Sequence, residues 1–347
     1  MPEREQVLAD LYDRPVRRVP AGAVERVSPC LACGGEQARP VFEVGGIAPR
    51  VVVCGRCGLG RFHPMPGSEE VRALYPGEYY GEPGRKFQSA VESLVRWVAA
   101  RHSRFLSSGL APGARVLDLG CGRGVILGAL ADRGFEVHGL EISEEAARGA
   151  DPRAEIRIAS KLADAGYPEG HFDQIVIWHV LEHLSDPRDT LEEAHRILRP
   201  AGRLVVAVPN FASLQARWSG PAWFHLDLPR HLYHFPLAAL RQLLERSGFE
   251  VRSEHHFSLR QNPFGWLQSA LNRCSHLPRN GVYQLLHRRA HGDAPPFDAR
   301  TRLRLWGWLA FGTPIACALT LVETALRSGA TVHVVARRLP GGARAVA

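Results

Sequence analysis

The spacing of apolar positions changes near residue 115. From there, short apolar runs alternate with helical stretches, such as 124–133 and 189–198, a pattern that predicts alternating strands and helices. Strands are predicted at residues 115–118, 136–140, 155–159, 174–178, 203–208, 250–257 and 331–336. This alternation is typical of a mostly parallel sheet covered by helices on both faces. The pattern therefore predicts an α/β fold.

The segments outside this alternating region differ from it in composition. One is rich in cysteine and glycine, and it is followed by a Tyr/Gly/Pro-rich linker and an amphipathic helical pattern over 86–106. We divide the chain into an N-terminal extension (1–27), this Cys/Gly-rich unit (28–66) and a linker with its helix (67–110). A core in two parts (111–257 and 331–340) follows, with an apolar insertion (258–330) between the parts.

A glycine-rich turn follows the first predicted core strand. Residues 116–124 read V-L-D-L-G-C-G-R-G, an apolar strand running into a turn that contains Gly120, Gly122 and Gly124. Glycines allow a tight turn and let a ligand approach the backbone without a clash at Cβ. The G-x-G-x-x-G spacing of dinucleotide sites would place the third glycine at position 125, which is Val125. The spacing therefore disfavours NAD.

The turn and two later segments resemble class I methyltransferases. Residues 118–124 match the D-x-G-x-G-x-G motif of that family, and residues 172–187 and 197–210 resemble its fourth and fifth strands with their flanking segments. The resemblance covers roughly 111–250. It implies a Rossmann-like, seven-stranded, mostly parallel sheet with an antiparallel last strand, and S-adenosylmethionine as the cofactor.

A second acidic residue, Glu141, ends the next predicted strand. A carboxylate at this position can accept hydrogen bonds from both ribose hydroxyls of a bound adenosine. Lys161 stands where many relatives have an acidic residue that binds the adenine amino group. Together with the resemblance, these positions predict a cofactor site formed by Asp118, Gly120, Cys121, Gly122, Gly124, Glu141, Ile142, Ser160, Lys161, Leu162, Trp178 and His179.

Two segments are candidates for the acceptor side. Residues 223–235 read W-F-H-L-D-L-P-R-H-L-Y-H-F and follow the fifth core strand, so we expect them at the ligand edge of the sheet. Histidine is the commonest general base, and His231 is our first candidate, with Asp227 beside it. A similar string recurs in bacterial small-molecule methyltransferases. The alternative interpretation is structural, with Asp227 and Arg230 forming a salt bridge that shapes the loop.

The pair Glu182-His183 is the second candidate. It follows the fourth strand, and a similar Glu-His pair lies near the acceptor in ubiquinone-type O-methyltransferases. We therefore predict His183 as a further catalytic residue. The alternative is a pair that only caps or packs the start of a helix.

Four of the seven cysteines form two close pairs with the spacing C-x₂-C-x₂₀-C-x₂-C. This spacing is typical of a zinc ribbon, in which four thiolates close a tetrahedral site. Because protein would supply every ligand, such a zinc is structural and not catalytic. The predicted metal ligands are Cys30, Cys33, Cys54 and Cys57.

The insertion contains a long uncharged run, residues 305–322, flanked by Arg302 and Arg304. Its length touches the lower limit of a membrane span, while Gly307, Gly312 and Pro314 interrupt it. These features favour a buried pair of lid helices, then a peripheral membrane contact, then a true span. A lipid-linked acceptor fits either of the first two.

Charge leaves two classes of acceptor open. The formal net charge of +8 points to anionic partners, but the chain shows no strip of basic residues interleaved with aromatics. We expect a small-molecule, saccharide or lipid-linked acceptor, with RNA bound through the ribbon as the alternative. A non-enzymatic zinc-ribbon binding module is the third interpretation. The charged N-terminus lacks an apolar signal segment, so the expected location is cytoplasmic or membrane-associated.

Overall fold

The computed structural model describes residues 16–20, 22, 24–44, 50–67, 70–71, 89–286 and 297–341. The first part of the predicted N-terminal extension and most of the predicted Tyr/Gly/Pro-rich linker lie outside these residues. The described chain contains two sheets and a set of helices that pack on them.

The larger sheet has seven strands in the order β12-β13-β10-β9-β6-β7-β8. All of its strand pairs are parallel except those of β13, which runs antiparallel to both neighbours. The predicted mostly parallel sheet with an antiparallel last strand is therefore confirmed. The strands are β6 (Arg115–Leu119), β7 (Glu136–Glu141), β8 (Glu155–Ile158), β9 (Phe172–Trp178), β10 (Leu198–Pro209), β12 (Phe249–His255) and β13 (Thr331–Arg338).

Alternating strand positions pack on opposite faces of this sheet, as the period of a β-strand requires. Val116 and Val176 belong to one core cluster, whereas Leu117 and Ile175 belong to the other. The α-helices of four or more residues that the structure describes are α1 (Ser89–Ser107), α2 (Val125–Ala131), α3 (Glu144–Ala147), α4 (Pro187–Ile197), α5 (Leu214–Ser219), α6 (Leu237–Arg246), α7 (Gln261–Asn272), α8 (Gly281–Leu286) and α9 (Ala299–Ala325).

The smaller sheet is antiparallel and holds the cysteine-rich segment. Its strands are β1 (Val16–Arg18), β2 (Glu25–Arg26), β3 (Gln37–Val44), β4 (Arg50–Cys54), β5 (Gly60–His63) and β11 (Tyr233–His234). The sheet is thus larger than the predicted unit 28–66. It takes two strands from the predicted N-terminal extension and one from the histidine-rich segment 223–235.

The insertion between β12 and β13 forms α7, α8 and α9. The expectation of a buried pair of helices over 305–322 is wrong, because α9 is one continuous helix that passes through Gly307, Gly312 and Pro314. Pro314 removes one backbone donor from the helix, but its ring is exposed to solvent and not forced into the core. Only one side of α9 packs on the rest of the protein.

Candidate active site

The glycine turn lies between β6 and α2, at the carboxyl edge of the parallel strands. Gly120, Gly122 and Gly124 all have left-handed backbone conformations, with φ of +67°, +49° and +64°. A Cβ on Gly120 would lie 2.5 Å from Val180 Cγ2, so this position has no room for a side chain. A Cβ on Gly122 would have no protein atom within 4 Å, so the backbone there is open to a ligand.

Two carboxylates lie behind this turn. Glu141 accepts hydrogen bonds from the backbone N–H groups of Gly122 and Ile142, both at 2.8 Å. Asp118 is buried, and burial together with the nearby Glu141 charge raises its pKa to about 8. Burial also raises the pKa of Glu141, although its two backbone donors oppose that shift. A cofactor with hydroxyl or amine donors fits here, because it would compensate a buried pair of acceptors.

A cavity of about 1020 Å³ extends from the glycine turn to the insertion. This volume lies at the upper end of the range of small-molecule sites. Its lining includes Gly120 and Cys121 of the turn, Trp178 and His179 at the end of the fourth core strand, and residues of the segment 224–231. One continuous space therefore joins the predicted cofactor turn to the predicted acceptor side.

The predicted adenine-side residues lie beyond the lining of this cavity. Ser160 and Lys161 are exposed after β8, Leu162 is buried in the core, and Ile142 is exposed beyond Glu141. The backbone N–H of Ala159 donates to the carbonyl of Glu141, which holds this segment beside the second strand. Their role in adenine binding stays a prediction.

The predicted acceptor-side residues come together. The rings of His183 and His231 lie 4.6 Å apart between centroids, although 47 positions separate Glu182-His183 from Arg230-His231 in the chain. A hydrogen bond to the opposite segment orients the His183 ring, and a hydrogen bond within its own loop orients the His231 ring. His183 Nδ1 donates to the Arg230 carbonyl at 3.0 Å, and His231 Nδ1 donates to the His225 carbonyl at 2.8 Å.

These hydrogen bonds define the tautomers. Because Nδ1 carries the proton in both rings, Nε2 of each presents a lone pair. His231 Nε2 lies 3.8 Å from Asp227 Oδ2, and Arg230 Nη2 lies 3.4 Å from the other oxygen of Asp227. Burial lowers the pKa of His183 to about 4, so this ring is neutral at physiological pH.

Glu182 is the buried carboxylate of this cluster. Burial alone would raise its pKa. The hydrogen bond from His179 Nδ1 at 3.2 Å is the main cause that opposes burial, and the pKa of Glu182 falls to about 2. Among the residues that the structure describes, Glu182 Oε2 and His179 Nε2 are buried without a hydrogen-bond partner. Such atoms favour a site that a polar ligand completes.

Two cluster residues have strained backbones. His179 and Asp227 are not glycines, yet they adopt φ of 55° and 36°. Left-handed conformations cost energy in non-glycine residues and concentrate at functional sites. Both positions lie where a strand or turn directs its side chain into the cavity.

Comparison with known proteins agrees with this geometry. Residues 91–254 match a family model described as a methyltransferase domain. A probable S-adenosylmethionine-dependent methyltransferase of Mycolicibacterium smegmatis is 34% identical over 142 residues, 40% of this chain and 53% of that protein. A ubiquinone biosynthesis O-methyltransferase of Psychrobacter arcticus is 32% identical over 126 residues, 33% of this chain and 48% of its own length.

The chain thus contains a methyltransferase domain similar to those of S-adenosylmethionine-dependent enzymes. Its matches span about half the length of these curated relatives, 53% and 48%. A solved S-adenosylmethionine-dependent methyltransferase from Archaeoglobus fulgidus aligns with 70% of this chain and 94% of its own, at 19% identity and a TM-score of 0.45.

The methyltransferase domain also uses residues that the sequence patterns did not indicate. Trp97 and His102 of α1 line the cavity, and the His102 ring lies 4.8 Å from that of Trp178. Burial lowers the pKa of His102 to about 4. The amphipathic pattern predicted a helix here, but it did not show that one side of the helix faces a cavity. The family match beginning at residue 91 includes this helix.

Four cysteine sulfurs converge in the small sheet. Cys30 and Cys57 Sγ lie 3.5 Å apart, as do Cys33 and Cys54 Sγ, and all four sulfurs lie within 4.8 Å of one another. Four thiolates around one zinc lie about 3.8 Å apart, given Zn–S bonds of about 2.3 Å. The cysteines that the spacing paired are therefore compatible with one tetrahedral zinc.

The cysteine-rich sheet is joined to the methyltransferase domain at the histidine-rich segment. β11 pairs with β5, and Phe62 donates its backbone N–H to the Leu232 carbonyl at 2.8 Å. Leu232 in turn donates its N–H to the Glu182 carbonyl at 2.8 Å. The ribbon, the segment around His231 and the Glu182-His183 pair thus form one hydrogen-bonded unit.

Glu182, His183 and His231 form a second group that could hold a cation. One ligand atom from each lies within 4.8 Å of the others. Carboxylate and imidazole ligands suit several divalent metals. The same three side chains also suit proton transfer, because His183 and His231 each donate from Nδ1 to a backbone carbonyl and so keep Nε2 as an acceptor.

Proposed function

We propose that the chain transfers a methyl group from S-adenosylmethionine to a small-molecule, saccharide or lipid-linked biosynthetic intermediate. The observation that carries this proposal is the continuous cavity between the glycine turn and the His183–His231 pair. Bound S-adenosylmethionine supplies an electrophilic methyl group. The chain must hold the cofactor, align the acceptor and exclude water.

The cofactor residues proposed are those of the turn and the two strand ends. Gly120, Cys121, Gly122 and Gly124 provide the close backbone approach, and Glu141 provides an acceptor for ribose hydroxyls. Trp178 and His179 line the cavity where the methionine end would lie. Ser160, Lys161 and Leu162 remain the proposed adenine neighbours.

His231 is proposed to remove the acceptor proton where one must leave. Its Nε2 lone pair is available because Nδ1 donates to the His225 carbonyl. The positive charge formed when Nε2 takes a proton would face Asp227 Oδ2 at 3.8 Å. His183, neutral and in ring contact with His231, is the second proposed base.

A structural zinc in the cysteine cluster is part of the proposal. Four sulfurs and no other ligand atoms converge within the described part of that cluster, so the metal would have no open position for chemistry. Its contribution would be to hold β5 against β11, and through β11 the segment that carries His231.

RNA is the less supported acceptor. Three arginines of the ribbon already have partners within the protein. Arg26 and Arg50 form ion pairs with Glu36 and Glu25, and Arg61 donates to the backbone carbonyl of Ser28 at 2.5 Å. These partners leave less net positive charge on the ribbon for phosphate contacts along an RNA strand.

Transfer from methyl-labelled S-adenosylmethionine tests the proposal. The purified chain is incubated with the labelled cofactor and, separately, with the lipid, aqueous small-molecule and RNA fractions of cells that carry the gene. We expect label in the lipid or small-molecule fraction. Label in RNA alone would support the alternative acceptor, and failure to bind S-adenosylmethionine in calorimetry would refute both.

The base assignment has a matched variant. In His231→Asn the side-chain amide can keep the hydrogen bond to the His225 carbonyl but lacks a titratable nitrogen. We expect turnover to fall about 100-fold or more with cofactor affinity unchanged. An exposed histidine, His276, gives the control His276→Asn. Equal turnover in His231→Asn and the control would contradict the assignment.

A further inference from the structure

The outward side of α9 is apolar along most of the helix. Its most exposed residues are Leu303, Phe311, Ile315, Leu321 and Leu326, each at least 63% exposed. At 3.6 residues per turn these positions fall on one side, and the exposed Ala310, Pro314, Ala318 and Val322 fill the spaces between them. We call this surface, from Leu303 to Leu326, the outer face of α9. No charged residue interrupts it between 305 and 322.

The opposite side of α9 is fastened to the protein along its length. A Cβ on Gly312 would lie 2.6 Å from Leu267 Cδ1, which shows how closely α9 approaches α7. Glu323 is buried, and its carboxylate accepts hydrogen bonds from Trp266 Nε1 at 3.0 Å and from the Ala330 N–H at 3.3 Å. α9 is the one described helix long and apolar enough to cross a membrane, but these contacts keep lipid from surrounding it.

Charge and aromatic residues border the outer face. Arg300, Arg302 and Arg304 precede its apolar run, and Arg327 follows the helix. The Arg327 side chain is 70% exposed, although its Nη2 lies 3.5 Å from Glu254 Oε2. Trp306 and Trp308 are 45% and 43% exposed near the arginine end. Tryptophan and arginine beside an apolar surface are typical of helices that lie in the headgroup region of a bilayer. A face made for a second copy of the chain does not need cations at both ends.

The cavity reaches the same helix. Trp306, Leu309, Thr313 and Cys317 line it, and these positions lie on α9 between the buried side and the outer face. Contact between the outer face and a lipid bilayer would therefore place one wall of the cavity next to the bilayer.

We propose that the outer face of α9 docks peripherally on an anionic lipid bilayer. Apolar side chains would enter the headgroup and upper acyl region, and the arginines at both ends would contact anionic headgroups. Resting on the function proposed above, the docked cavity would receive its acceptor from the membrane, which favours the lipid-linked class. Docking itself does not depend on methyl transfer.

Flotation with vesicles tests docking on the full chain. The purified protein is mixed with phosphatidylcholine vesicles that contain 30% phosphatidylglycerol, or with phosphatidylcholine vesicles alone. We expect flotation with the anionic vesicles, and weaker flotation with neutral vesicles or at high salt. In the variant Phe311→Gln/Ile315→Gln we expect the bound fraction to fall about tenfold. Both positions are exposed, so the fold should tolerate the change.

The control places the same polar residues elsewhere. Val24 and Ile158 are 60% and 43% exposed, but Val24 precedes β2 and Ile158 ends β8, so Val24→Gln/Ile158→Gln should float like the parent. Absence of flotation, or equal loss in both variants, would overturn docking. A dimer seen in ultracentrifugation would also overturn docking if the α9 variant dissociates it and neither protein floats, because the outer face would then be a dimer interface. Resistance of the cell-expressed protein to carbonate extraction would overturn it too, because that result indicates a membrane span. Calorimetry with S-adenosylmethionine on the same preparations separates failure of docking from failure of the proposed function.

Discussion

At the scale of single residues, the glycine turn and His231 differ in what fixes their conformation. Its motif requires left-handed backbone at fixed positions, and Gly120, Gly122 and Gly124 all adopt it. The requirement is local, so spacing alone identified it. The orientation of His231 is different, because it depends on the His225 carbonyl and on Asp227 in a loop of irregular backbone. Spacing indicated these residue types but not their hydrogen bonds.

Gly122 gives a prediction that separates backbone strain from ligand binding. In Gly122→Ala the new Cβ meets no protein atom within 4 Å, so the cost to folding comes from φ of +49° and should be about 1–2 kcal/mol. Because the methyl group would occupy the space left for a ligand, we expect S-adenosylmethionine affinity to fall at least tenfold, about 1.4 kcal/mol. Calorimetry and urea unfolding measure the two effects.

Gly113 is the matched control for this variant. It has φ of +73°, and a Cβ there also meets nothing within 4 Å, but it lies in the loop before β6 and away from the glycine turn. Gly113→Ala should lose similar stability and keep full affinity. Equal affinity in the two variants would show that Gly122 does not face the cofactor.

At the scale of elements, alternation of strands and helices predicted the large sheet, whereas the small sheet departed from expectation. The cysteine spacing indicated the four-cysteine cluster, because both cysteines of a pair lie within four residues. It could not show that β11 completes the sheet, since Tyr233 and His234 pair with residues about 170 positions earlier. Such pairing depends on the tertiary fold. The same reason explains why α1 was predicted as a helix but not as a wall of the cavity.

Removal of one zinc ligand should therefore destabilise the acceptor-side segment more than the cofactor site. In Cys54→Ser we expect bound zinc to fall from about one per chain to none, with a fall in melting temperature of about 5 °C or more. Hydrogen exchange at Leu232 and Tyr233 should speed up, because β5 would no longer hold β11. Affinity for S-adenosylmethionine should change less than twofold, since the glycine turn belongs to the other sheet.

A cysteine outside the cluster provides the comparison. Cys274, half-buried after α7, gives Cys274→Ser, which should keep its zinc and its slow exchange at β11. If Cys54→Ser loses zinc but retains protection at Leu232, the ribbon does not support the histidine-rich segment.

At the scale of the whole molecule, the site is assembled from parts that are distant in sequence. The large sheet supplies the cofactor edge, the small sheet supports the histidine-rich segment, and the insertion closes the cavity with α9. The alternating core could be predicted because each strand is a local pattern. The cavity could not, because its walls include α1 and α9, which meet only after the sheet has formed. Its polar groups are buried, and this makes global stability depend on their ionisation.

Asp118 should make the free energy of unfolding fall as pH rises towards its folded-state pKa of about 8. Its pKa is raised to about 8 in the folded protein by burial and by Glu141, against about 3.9 in an unfolded chain. Between these values the folded state holds a proton that the unfolded state has lost, so stability decreases with increasing pH. The buried histidines make stability rise with pH below about pH 6.5. Their pKa values are lowered, so the folded state binds fewer protons in that range than the unfolded state does.

The window from pH 7 to 8 lies above the histidine titrations but also includes Glu323, whose pKa burial raises to about 7, and Cys30, whose pKa the hydrogen bond with Cys57 lowers to about 5. The contribution of Asp118 is therefore read as the difference between the parent and Asp118→Asn in urea unfolding of the cofactor-free protein. Across that window the parent should lose roughly 1 kcal/mol more stability than Asp118→Asn, the linkage of about one proton, because the amide does not ionise. Asp164→Asn, at an exposed carboxylate, should retain the parental slope. A parental slope in Asp118→Asn would mean that Glu141 or another group carries the proton. In that case Asp118 would be ionised beneath the glycine turn, and a positively charged sulfonium cofactor would find a full negative charge there in place of a neutral carboxyl group.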